Sequence, residues 1–112
     1  MNGERSIWQP ISVSKQYARL LARMMELGAE PITVSGRREV IGLGHSGRLF
    51  AYLHEGQLAI KLPSRRAAFL SSAGMVQRFK NRRVEQSFEW VLVYRGSEWI
   101  WDHLVDDAFQ YS

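Results

Sequence analysis

The sequence predicts an α+β fold, an antiparallel sheet of about four to five strands with helices packed on it, in the order α-β-β-β(-β)-α-β-α. Three observations lead there. Apolar residues recur at three- and four-residue spacing near both ends of the chain. Between these stretches the period falls to two, from Ile32 to Leu62 and again from Phe88 to Tyr94. Glycines and prolines separate the runs, at Gly28, Pro31, Gly56, Pro63 and Gly74.

The first helix is read in "SVSKQYARLLARMMELGAEP". Val13, Tyr17, Leu20, Leu21, Met24, Leu27 and Ala29 share its apolar side, while Lys15, Arg19, Arg23 and Glu26 fall elsewhere. Ser12 or Ser14 caps its start, and Gly28 and Pro31 stop it. Residues 1–11 form an N-terminal arm, with Trp8 large enough to dock on the body, and residues 12–112 form a single domain. "PITVSG" and "REVIGL" are short strands, with a turn at His45-Ser46 after the second. "GRLFAYLHEGQLAIKLP" is a hairpin turning at Glu55-Gly56. It carries Leu49, Ala51 and Leu53 on one face and Phe50 and Tyr52 on the other, then Leu58, Ile60 and Leu62 on a shared face. Pro63 ends the sheet run, Ser64 caps a short helix "SRRAAFLSSAG", and Gly74 closes it. "MVQRFKNRRVEQ" lacks periodicity and reads as a loop with a turn of helix. "SFEWVLVYRG" is a strand apolar on both faces, hence central in the sheet. Trp101, Leu104, Val105, Ala108 and Phe109 form the stripe of a closing helix.

Composition narrows the function classes. The 112 residues are 46% hydrophobic and 23% charged, as in an ordinary one-domain globular protein. The absence of cysteine excludes disulfides and thiolate chemistry. No apolar run approaches the ~20 residues of a membrane span, and "MNGERSIWQP" has no signal-peptide core, so a cytoplasmic protein is expected. The net charge of +4 is unevenly placed. Residues 61–95 hold eight Lys/Arg against two Glu, whereas residues 96–112 hold four acidic residues and no Lys or Arg. Either the two regions neutralise each other or a basic face is offered to an anionic partner.

Gly42, Gly44 and Gly47 have the G-x-G-x-x-G spacing of dinucleotide-binding loops. The phosphate of such a ligand sits on a helix N-terminus, and "RLFAYL" after Gly47 alternates as a strand, so these are turn and bulge glycines and no cofactor is expected. "GHSGR" lacks both the last glycine and the strand-to-helix turn of a nucleophile elbow, which leaves Ser46 and His45 as turn residues. His103 and Asp107, four apart on the last helix, are too few to hold a metal. Asp106 and Asp107 point about 100° apart, poor geometry for a paired acid and base. The strongest candidate surface for an anion, nucleic acid or partner is "RFKNRR" with its neighbours: Arg65, Arg66, Arg78, Phe79, Lys80, Arg82 and Arg83.

The stretch "GRLFAYLHEGQLAIKLPSRRAAFLSSAGMVQRF", followed by "EWVLV" and "WDHLVDDAFQY", resembles the TfoX N-terminal domain-like family, related to the YjbR group. The resemblance covers about residues 35–110. It is carried by Gly47, Arg48, Phe50 and Ala51; by Leu58, Lys61, Leu62 and Pro63; by Arg66, Leu70, Gly74 and Phe79; and by Trp90, Val91, Val93, Leu104, Ala108 and Phe109. Two features depart from the pattern. Val40-Ile41-Gly42 stands where the family has Met-Phe-Gly, and the helical second domain of larger members does not follow before Ser112. The resemblance implies a fold similar to the secretion chaperones, no established catalytic residues, and a regulator of transcription or competence type that works through protein partners. The expectation is therefore a non-enzymatic binding domain acting by protein–protein contact or as a homodimer, with no cofactor, metal or membrane partner. Nucleic-acid binding through the basic 65–83 region is the alternative.

Overall fold

The computed structural model describes residues 12–36, 39–79 and 87–112. Helix α1 (Val13–Glu26) starts where the Ser12 hydroxyl accepts the Lys15 N–H at 3.2 Å and ends at Leu27, before Gly28 at φ +109°. Strands β1 (Glu30–Val34), β2 (Val40–His45), β3 (Arg48–His54) and β4 (Gln57–Pro63) follow as a meander. Helix α2 (Ser64–Ser72) leads to β5 (Val76–Arg78), β6 (Phe88–Val93), a 3₁₀ turn (Glu98–Ile100) and helix α3 (Trp101–Tyr111).

The six strands form one antiparallel sheet in the order β1-β2-β3-β4-β6-β5. The α+β class is as expected, with one more strand than the sequence predicts. The addition is β5, in the stretch read as a loop with a helical turn. It forms because Val76, Gln77 and Arg78 pair with Val93, Leu92 and Val91 on the outer edge of β6. That pairing also makes β6 interior to the sheet, as its two-faced apolarity implies, and Trp90, Val91, Leu92 and Val93 are all buried. Two local readings also change. Ser64 is the first residue of α2 rather than its cap, with Pro63 in the cap position and no side-chain cap bond. The β2–β3 turn lies at Ser46-Gly47, both with positive φ (54° and 78°), and His45 still belongs to β2.

The three helices of the described residues pack on one face. Tyr17, Leu20 and Met24 of α1, Ala67 and Leu70 of α2, and Trp101, Leu104, Val105 and Ala108 of α3 meet Leu43, Phe50, Leu58, Ile60, Leu62, Val91 and Val93 in one core. Each large apolar side chain removed from water contributes roughly 1.5–3 kcal/mol before entropy is counted. The opposite face carries a second cluster of Tyr52, Ala59, Trp90 and Leu92, with Val34, Leu49 and Phe79 against it.

A bulge decides which β3 residues join which cluster. Leu43 pairs with Ala51 and Gly44 with Leu49, so Phe50 is an extra residue. Phe50 and Ala51 therefore both enter the helix-side core, while Leu49 and Tyr52 enter the other cluster. Strict alternation, the sequence expectation, placed Leu49 with Ala51 and Phe50 with Tyr52. The glycines of the G-x-G-x-x-G spacing serve this arrangement. A Cβ on Gly42 would lie 2.9 Å from the Ala51 carbonyl oxygen and 3.1 Å from Tyr52 Cβ, and Gly47 occupies the left-handed turn.

Tyr17 ties α1 to the sheet, its hydroxyl donating to the Ile41 carbonyl. Burial pushes this phenol far above its ordinary 10.0, with the Leu53 backbone pulling part of the way back. The folded state thus holds a proton that the unfolded chain releases. Stability is complete below pH 10.0 and falls as pH rises beyond it. Denaturant titrations at rising alkaline pH are expected to show wild type losing up to about 1.4 kcal/mol per pH unit more than Tyr17→Phe. Gly42→Ala is expected to cost about 1–3 kcal/mol in the same assay, because its new methyl meets backbone that cannot rotate away.

Candidate functional site

The helical layer is where the chain's charge is distributed. The apolar stripe of α3 fixes its rotation on the sheet, and its acidic residues then project along its two flanks. On one flank Asp102 and Asp106, four apart, meet Arg23 of α1, with Arg23 Nη2–Asp102 Oδ1 at 3.2 Å and Nη1–Asp106 Oδ1 at 2.9 Å. For Arg23 the desolvation that lowers its pKa is outweighed by the hydrogen bonds and charges of Asp106 and Asp102, so its pKa is raised. On the other flank Asp107 meets Arg66 of α2 at 3.1 Å, and His103 Nε2 lies 3.2 Å from the same guanidinium. The 100° between Asp106 and Asp107 thus sends one carboxylate to each neighbouring helix.

This arrangement answers the sequence question about charge in part. Acidic residues of the C-terminal helix neutralise arginines of α1 and of the basic middle. Where a metal would need His103 and Asp107, an arginine is already bound to both. No group of three or more His, Asp or Glu able to hold a metal occurs among the described residues. His45 Nδ1 lies 2.9 Å from the Ser112 hydroxyl, and its ring packs on Phe109 at 5.0 Å.

Four of the seven residues of the sequence-predicted surface lie among the described residues. Arg66 is bound to Asp107, and Arg78 pairs with Glu89 across β5 and β6 at 3.5 Å. Phe79 is packed against the second cluster, its ring 4.8 Å from that of His54. Lys80, Arg82 and Arg83 lie outside the described residues. Arg65 is exposed and makes no hydrogen bond or ion pair among the described residues.

Arg65 instead lines an open groove of about 450 Å³ between α2 and the end of α3, together with Pro63, Arg66, Phe69 and Tyr111. Phe69 and Tyr111 are 65% and 58% exposed. Neither was singled out by sequence reasoning, although a signal existed: Ala67 and Leu70 take the buried side of α2, which leaves Phe69 on its outer side, one turn after Arg65. Trp101 is buried at 1%, whereas Trp99, in the 3₁₀ turn before α3, is exposed at 72%. Lys61 is buried on the opposite face of the sheet, its ammonium 5.8 Å from the centre of the Phe88 ring.

Comparison with family models, with curated proteins and with solved structures gives no match. No helix among the described residues is long and apolar enough to cross a membrane.

The division between spent and free arginines is measurable. In a double-mutant cycle, Arg66→Ala with Asp107→Ala is expected to show a coupling of about 0.2–1 kcal/mol, the range for partly exposed ion pairs. Arg65→Ala is expected to leave the unfolding free energy within about 0.5 kcal/mol of wild type.

Proposed function

We propose that this chain is a small, non-enzymatic, cytoplasmic binding domain that acts through protein–protein contact, in the manner of the transcription- or competence-type regulators its sequence resembles. The observation that carries the reading is the trio of exposed aromatics, Phe69, Trp99 and Tyr111, on a helical layer where Arg23 and Arg66 are already paired with carboxylates. Large aromatic side chains and arginine are the residues most enriched where protein partners bind, and they dominate binding energy there. Their exposure costs the free protein solubility, and a partner or a second copy of the chain would remove it.

The rival reading is nucleic-acid binding through residues 65–83, motivated by the run "RFKNRR". Arg66 and Arg78 weigh against it, since each already faces a carboxylate. A phosphate would have to compete with that carboxylate for the charge.

The two readings separate in one capture experiment. Immobilised wild type and the variant Phe69→Ser/Trp99→Ser/Tyr111→Ser are exposed to lysate with and without nuclease treatment, at low and at high salt, with the sedimentation behaviour of each measured in parallel. The expected result is a specific protein, or a second copy, held by wild type and lost by the equally stable variant. Retention of nucleic acid alone, abolished by salt, would overturn the proposal in favour of phosphate binding.

A further inference from the structure

Within that reading, on which this inference rests, the groove between α2 and α3 has a chemistry that specifies its occupant. Its walls are Pro63, Phe69 and Tyr111, and its cations are Arg65 and Arg66. Arg66 is not available for new charge, because its Nη2 is shared between Asp107 at 3.1 Å and His103 at 3.2 Å. Arg65 is available. It lies one helical turn before Phe69 on the same side of α2, so its guanidinium and the ring present themselves together.

We propose that this groove binds a short acidic segment of a protein partner, one carboxylate pairing with Arg65 and an adjacent apolar side chain seated among Pro63, Phe69 and Tyr111. Charge complementarity argues for the carboxylate. One cation beside apolar walls favours one anion with an apolar neighbour. The same composition disfavours a nucleic acid strand. A polyphosphate gains affinity by neutralising several charges at once, and here the second guanidinium is already held by Asp107. An arginine fork matches a carboxylate in two parallel hydrogen bonds, and the adjacent ring offers a face for guanidinium stacking.

The test is selection of a random peptide library displayed on phage against the immobilised protein, followed by anisotropy titration of the enriched peptides. Arg65→Glu, Phe69→Ser and Tyr111→Ser serve as variants, and labelled single-stranded DNA as competitor. These side chains are on the surface, and the thermal midpoint of each variant is measured alongside. The expected result is enrichment of peptides joining Asp or Glu to Leu, Phe or Trp. Their affinity should fall at least about tenfold in each variant and be unaffected by the DNA. Four outcomes would overturn the proposal: no enrichment, enrichment of basic peptides, binding that survives all three substitutions, or displacement by DNA. Binding that survives the substitutions would reject the groove and leave protein binding by the domain intact. Displacement by DNA, joined to salt-sensitive nucleic-acid capture, would reject both.

Discussion

The seating of α3 is the constraint on which the rest of the molecule depends. Trp101, Leu104, Val105 and Ala108 must all reach the core on the helix side of the sheet, and that requirement leaves the helix a single rotation. The rotation then determines the electrostatics. Asp102 and Asp106 fall on the flank beside α1, and His103 and Asp107 fall on the flank beside α2. Hydrophobic burial sets the geometry, and the ion pairs follow as its consequence. Their partly exposed charges contribute little stability each, so their main effect is on what the surface has left to offer.

What is left is aromatic more than basic. Arg66 of the basic middle pairs with Asp107 of the acidic end, and Arg23 and Arg78 also face carboxylates. Phe69, Trp99 and Tyr111 sit on the same layer with no such partner to cover them, as their exposure shows. A surface of this kind gains more from burying rings against another protein than from collecting phosphates. The bulge at Phe50 supports the arrangement from beneath. By sending two consecutive β3 residues into the helix-side core it supplies Phe50 as a seat for Phe109 of α3, their rings 5.9 Å apart.

The parts of the fold legible in the sequence are those encoded by local period. The stripe of α3 and the two-faced apolarity of β6 hold because burial imposes them residue by residue, and the stripe of α1 holds as far as Met24, whereas Leu27 at the helix end is exposed. The strand expected after Gly47 is β3, and the glycines before it serve a turn and a bulge. The failures have non-local causes. A strand of three residues alternates once, so β5 exists only through the edge that β6 offers it. The bulge follows from packing around Gly42 and Gly44, where close backbone approach has no period to read. Which carboxylate Arg66 or Arg78 meets is likewise set by tertiary packing and is not stated by the sequence. Exposure of Phe69 follows from the wheel of α2, where Ala67 and Leu70 take the buried side.

The central claim is that the helical layer holds Arg23 and Arg66 in internal pairs and presents its aromatics to solvent. Solvent paramagnetic relaxation enhancement, measured by NMR on aromatic ring protons with an inert gadolinium chelate, tests it most directly. Strong relaxation of Phe69, Trp99 and Tyr111, with Trp90 and Trp101 protected, is the predicted result. Protection of Phe69 and Tyr111 in the monomer would contradict the account and remove the surface on which it rests.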